Sequence, residues 1–309
     1  MRTPVKLGLF GLALAVTFAA AWGVGSLAGS STTGTPGEAG DGHGEQHEEG
    51  QVQAQSKTPG GLQVAQDGYR LELTSAGLST TDSQPFTFKI IGPDGKPVTA
   101  YTRAHEKDLH LVLVRRDLTG FQHVHPVLGE GGVWSVPLKV TAPGPYRLFA
   151  DFQPAGRGEG LILGADATAP GDFQPVPPEK PNRTTVVGEY TVTLEGELTP
   201  GTASKLTLSV TRAGSPVTDL EPYLGAFGHL VALRDGDLAY LHVHPEESST
   251  AGPQIVFYAE VPSAGTYGLY LDFQHGGTVR TAHFTAATQG VSAPAAPAAS
   301  PSGSAGHGH

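Results

Sequence analysis

The strongest constraint on this chain is that it repeats itself. The segment HLVLVRRDLTGFQHVHP (110–126) returns as HLVALRDGDLAYLHVHP (229–245), with eight of seventeen positions identical and no gap. The match runs outward at nearly fixed offset. GKPVT (95–99) aligns with GSPVT (214–218) 119 residues on, and PGPYRLFADFQ (143–153) with SAGTYGLYLDFQ (263–274) 121 residues on. Two units of roughly 105–115 residues follow, 62–175 and 184–287, joined by a Pro-rich stretch at 176–183. A chain of 309 residues accommodates two such domains plus tails.

Each unit reads as β structure. In the second, EYTVTLEG, KLTLSVTR, GHLVALR, AYLHVHP, QIVFYAEV, TYGLYLDFQ and TVRTAHFTA are short runs of β-branched, aromatic and aliphatic residues with turn residues between them. Seven strands in about 100 residues predict a Greek-key sandwich. The expected fold is therefore all-β, with two tandem β-sandwich domains of immunoglobulin-like or cupredoxin-like type. Tyr146 and Tyr267 occupy matching places after turns, as tyrosine corners do.

The repeated motif also carries histidines. Residues two apart on a strand point the same way, so His123 and His125 share a face, as do His242 and His244. His110 and His229 each lie thirteen residues upstream, on the preceding strand. A hairpin loop with an even residue count keeps each on the face of its partners. In the second unit a tight turn at Asp235-Gly236 is expected to set His229 opposite His242. Pro126 and Pro245 are expected to end their strands. Three neutral imidazoles suit Cu(II) or Zn(II).

Asp151 and Asp272 also repeat, on strands whose alternate residues are apolar. Each is expected to be a fourth ligand, a carboxylate orienting a ligand histidine, or a salt-bridge partner of Arg115 or Arg234. The candidate metal residues are thus His110, His123, His125 and Asp151 in one unit, and His229, His242, His244 and Asp272 in the other. A polar network with structural histidines is the competing reading. His105, His275 and His283 do not repeat and are expected to be surface or auxiliary residues, with His275 and His283 able to join the second site.

Composition removes other chemistries. With no cysteine there is no disulfide, no thiolate ligand, no lipid-modified N-terminal cysteine and no blue-copper centre. Met1 is the only methionine, which removes thioether sites for Cu(I). A net charge of −10 argues against nucleic acid as a partner. No G-x-S-x-G or H-E-x-x-H motif occurs, so no enzyme is expected.

Residues 1–29 place Arg2 and Lys6 ahead of a hydrophobic run over 7–29. This predicts a hydrophobic helix acting as a signal anchor or a cleaved signal peptide, with the remainder outside the cytoplasm. Residues 30–61 and 288–309 read as flexible polar segments, carrying His43 and His47, and His307 and His309.

The run HLVLVRRDLTGFQHVHP followed by YRLFADFQP resembles a group of exported bacterial β-sandwich proteins, loosely YtkA-like, that are often described as heavy-metal-binding. The second unit departs in its RDGDLAY loop and in DFQHGG where the first has DFQPAG. The resemblance implies metal handling through His110, His123 and His125, with Asp151 beside them. The expected partners are a metal ion and a membrane metal transporter.

Overall fold

The computed structural model describes residues 58–289, apart from His242 and the side chain of His244. The hydrophobic segment 7–29 and residues 30–57 and 290–309 of the two His-bearing segments lie outside these residues. Residues 58–61 and 288–289, expected from the sequence to be flexible, are instead hydrogen-bonded into the sandwiches, with Gly61 N–H donating to Ile162 O and Thr288 N–H to Gly265 O. Among the described residues no helix is long and apolar enough to cross a membrane.

The first repeat comprises β1 (Ala65–Gln66), β2 (Tyr69–Leu73), β3 (Gln84–Ile91), β4 (Leu109–Arg115), β5 (Gln122–Val124), β6 (Val127–Leu128), β7 (Val133–Leu138), β8 (Gly144–Phe152) and β9 (Leu161–Ala169). The second comprises β10 (Thr184–Val187), β11 (Tyr190–Glu195), β12 (Ala203–Arg212), β13 (Ser215–Pro216), β14 (His229–Arg234), β15 (Tyr240–Leu241), β16 (Val243–Pro245), β17 (Gln254–Glu260), β18 (Thr266–His275) and β19 (Thr278–Ala287). In each repeat two antiparallel sheets face one another. The orders are β1-β2-β3-β7-β6 over β5-β4-β8-β9, and β10-β11-β12-β17-β16 over β15-β14-β18-β19. This is the immunoglobulin-like arrangement. Both tyrosine corners are present: Tyr146 Oη donates to Ala142 O at 2.8 Å and Tyr267 Oη to Ser263 O at 2.7 Å.

The alternation of apolar residues fills each sandwich. Phe86, Phe88 and Ile90 of β3 point inward with Leu109, Leu111, Leu113 and Trp134. Leu206, Leu208 and Val210 of β12 meet Leu269, Leu271 and Phe273 in the second core. Strands β4 and β18 carry a second apolar face, because the two four-stranded sheets also pack against each other. Val112, Val114 and Phe149 of the first repeat form one cluster with Val231, Leu233, Leu238 and Tyr270 of the second. That is why every residue of β4 is buried.

The packing is pseudo-symmetric. Phe121 stacks on Tyr270 with centroids 4.0 Å apart and planes 4° apart, and the equivalent pair, Tyr240 and Phe149, meets edge-on at 5.5 Å. Tyr270 Oη donates to Leu118 O at 2.5 Å. Residues ahead of the first sandwich strap the seam. Tyr240 N–H donates to Gly60 O at 3.0 Å and Gly61 N–H to Ile162 O at 2.9 Å, while buried Arg147 donates to Gly61 O and Leu62 O.

Candidate metal centre

His110 comes from β4 and His123 from β5, and His125 follows one residue past the end of β5. Leu111 pairs with Val124 and Val112 with His123. The loop between the strands therefore has an even residue count, and all three imidazoles leave the same face. That face is the one docked against the second repeat. Pro126 falls where the chain leaves this sheet for the other, in which β6 pairs with β7.

The three side chains each offer a nitrogen, and these nitrogens lie within 4.8 Å of one another. His110 Nδ1 is 3.1 Å from His123 Nε2 and 3.2 Å from His125 Nε2. Two nitrogens bound at 2.0–2.1 Å to one ion are about 2.9 Å apart at a right angle and about 3.3 Å apart at the tetrahedral angle. The observed separations fall between these.

The outer nitrogens of two of the rings are held. His110 Nε2 is 3.0 Å from Ala104 O, which can only accept, so Nε2 carries the proton of the neutral ring and Nδ1 is bare. His123 Nδ1 donates to Asp272 Oδ2 at 2.9 Å, which turns its Nε2 toward His110 Nδ1 at 3.1 Å. The bare His110 Nδ1 can accept a proton from a neighbouring imidazole or bind a cation. Burial, partly offset by the Ala104 hydrogen bond, pushes His110 down to about 4. Burial, with the neighbouring histidines and Lys107 adding to it, pushes His125 down to about 3. Both rings are therefore neutral at pH 7 and able to act as ligands.

The carboxylates are placed differently from the sequence expectation. Asp272, read as part of the second unit's own site, serves the first: it holds His123, and its Oδ1 accepts from Thr281 Oγ1 at 2.6 Å. Asp151 lies opposite His110 across β8 but is not in the cluster of converging ligand atoms, and burial raises its carboxyl to about 6. Neither aspartate pairs with the repeated arginines. Arg115 bonds Asp117 at 2.7 Å and Arg234 bonds Asp237 at 2.5 Å, each within its own loop.

The second histidine set is described only in part. His229 mirrors His110, with Nε2 donating to Tyr223 O at 2.7 Å, and burial pushes it down to about 4. The expected tight turn is absent. Leu233 faces Tyr240, a register two residues longer than the sequence suggested. Asp237 explains the longer loop, since it bonds Arg234 and also accepts from Ala239 N–H at 3.1 Å. The strand also changes sheet earlier than in the first repeat. β15 pairs with β14, whereas β16, containing His244 and ending at Pro245, pairs with β17 in the other sheet. His242 lies outside the described residues.

Among the unrepeated histidines, His105 is the one near the centre, with ring centroids 5.3 Å from His229 and 6.1 Å from His110. It sits in the loop before β4 at a positive φ of 48°, a position that no strand periodicity reveals. His275 bonds Tyr190 Oη and Asp219, and His283 stacks on Tyr270. Neither joins a metal cluster among the described residues.

Fold and site together define a pair of docked immunoglobulin-like sandwiches with a three-histidine cluster at their seam. The chain belongs to the family described as a domain of unknown function (DUF8832), whose model matches it twice, over residues 63–161 and 184–290. No curated protein matches it. Among solved structures, it is similar to the Yersinia pseudotuberculosis adhesin InvE, with 12% identity, 71% of this chain and 58% of that one covered, and a TM-score of 0.23. The D0-D1 domain of intimin gives 10% identity, coverages of 71% and 97%, and a TM-score of 0.21. Invasin, a bacterial integrin-binding protein, gives 12% identity, coverages of 71% and 39%, and a TM-score of 0.21. The chain thus spans little more than half the length of the first of these adhesins. Likeness at this level concerns β-sandwich character alone.

Proposed function

We propose that this is an extracytoplasmic metal-binding protein that holds Cu(II) or Zn(II) through His110, His123 and His125. One observation carries the reading. His110 Nδ1 lies 3.1 Å from His123 Nε2 and 3.2 Å from His125 Nε2, while the outer nitrogens of His110 and His123 are tied to Ala104 O and Asp272 Oδ2. These separations match those of nitrogens that share one ion, and the outer hydrogen bonds orient the rings as ligands. The donor set contains neither sulfur ligand, which favours borderline Cu(II) and Zn(II) over Cu(I). The resemblance to YtkA-like exported proteins points the same way. The hydrophobic N-terminal segment supports placement outside the cytoplasm, anchored to the membrane or released. There a membrane transporter is a natural acceptor or donor of the ion. A carrier role without catalysis fits the motifs.

The second reading is a cell-surface binding or adhesion module with structural histidines and no metal. It shares its sandwich architecture with the adhesins above. Isothermal titration of metal-free protein with Zn(II) and Cu(II) separates the two. Saturable binding lost in His125→Ala supports the metal reading. No binding, or binding that survives the substitution unchanged, supports the adhesion module.

A further inference from the structure

The metal reading treats the trio as belonging to the first repeat, yet the trio's outer wall comes from the second. His123 Nδ1 donates not to its own sandwich but to Asp272, 149 residues away on β18. Tyr223 and His229 of the second repeat stand beside His125 and His123, with centroids 6.2 Å and 6.3 Å apart. Asp272 is 4% exposed. Its hydrogen bonds among the described residues come from the His123 Nδ1–H and the Thr281 hydroxyl. A dication on the far nitrogen of His123 would lie one imidazole ring away from this buried carboxylate. This is the carboxylate–histidine–metal arrangement in which the carboxylate sets ring orientation and raises ligand basicity.

We propose that Asp272 is the positioning residue of the metal centre, so that the site is complete only when the second sandwich is docked on the first. The proposal rests on the metal reading. It goes further in making ion binding a property of the pair of repeats. Binding an ion and closing the seam are then linked, each favouring the other by the same factor. The repeat itself could not reveal this. Asp272 has an equivalent in Asp151, but the register that puts each aspartate opposite its own sandwich's histidine, His110 with Asp151 and His229 with Asp272, suggests pairing within a repeat.

The test uses the full chain, metal-free, with Zn(II) affinity read by competition against a chromophoric chelator and Co(II) bound as a spectroscopic probe. Asp272→Asn keeps the volume and the bond to Thr281 and is expected to weaken Zn(II) about tenfold. Asp272→Ala is expected to weaken it about a hundredfold. Both should shift the Co(II) ligand-field bands. Thr281→Val removes the other hydrogen bond to Asp272 while leaving His123 held. It should change affinity by less than about threefold and leave the bands in place, which a merely structural role for Asp272 would not predict. A metal-independent arm is the His123 ring tautomer, read from long-range nitrogen–proton correlations. It should be pure Nδ1–H in the wild type and mixed in Asp272→Ala. Wild-type affinity and spectrum in both Asp272 variants would overturn the positioning role while leaving the metal reading intact. Absence of Zn(II) binding by the wild type would overturn both.

Discussion

Replacing Tyr270 tests whether the two sandwiches are docked in solution as described. The ring is 3% exposed, lies flat between Phe121 at 4.0 Å and His283 at 4.7 Å, and donates its hydroxyl to Leu118 O at 2.5 Å. Truncating a buried aromatic to alanine costs about 3–5 kcal/mol. Part of that belongs to the seam: the stack on Phe121 is worth about 0.5–1.5 kcal/mol and the hydrogen bond about 1 kcal/mol. Tyr270→Ala should therefore cost about 4 kcal/mol in all, of which about 2 kcal/mol is support lent to the first sandwich. Trp134, 1% exposed in the first core, reports that sandwich separately by fluorescence. In urea the Trp134 transition should move to lower denaturant in Tyr270→Ala and by roughly half as much in Tyr270→Phe. An unmoved Trp134 transition, with only the second sandwich weakened, would refute the docking.

Other outcomes follow from the same geometry. Zn(II) at a hundredfold over its dissociation constant should stabilise the protein by about 2.7 kcal/mol, roughly 5–10 °C in a thermal melt. His110→Ala, His123→Ala and His125→Ala should each remove most of that gain. Without metal, stability should depend on pH. His110 and His229 sit at about 4 and His125 at about 3, all below the ordinary imidazole value of 6.5. The unfolded chain therefore binds more protons as pH falls, and the stabilisation present above about pH 6.5 drains away between there and pH 3–4. A loss on the order of a few kcal/mol by pH 4.5 should appear in urea midpoints, and a flat profile would contradict the burial described. Gly164→Ala should destabilise by about 1–3 kcal/mol, because its new Cβ would collide with Gly61 O in the strap along the seam. A neutral result in denaturant melts would mean that the strap is not seated there.

Much of this architecture was legible in the residues. The 119-residue offset gave the two sandwiches, and Tyr146 and Tyr267 marked the corner strands. Parity put His110 on the face of His123 and His125 for any loop of even residue count, and the pairing of Val112 with His123 meets that condition. The docked faces were harder to read. Their trace is β4, LHLVLVR, whose apolar residues do not alternate with polar ones, but a short apolar run does not name what covers it. Pairing Asp272 with His123 needed the docking itself, since no spacing links residues 149 apart. The tight turn expected at Asp235-Gly236 does not form, because Asp237 and Arg234 bond each other within a longer loop. A side-chain clamp of that kind overrides the two-residue turn preference.

The most direct measurement is a Zn(II) titration of the metal-free full chain, with the ring nitrogens of individual histidines followed by NMR. The account predicts one saturable event in which His110 Nδ1, His123 Nε2 and His125 Nε2 shift together as ligated nitrogens. Nδ1 of His123 should stay protonated, and the event should vanish in His123→Ala. Shifts confined to His43, His47, His307 and His309 in the tails, with the three core rings unmoved, would contradict it.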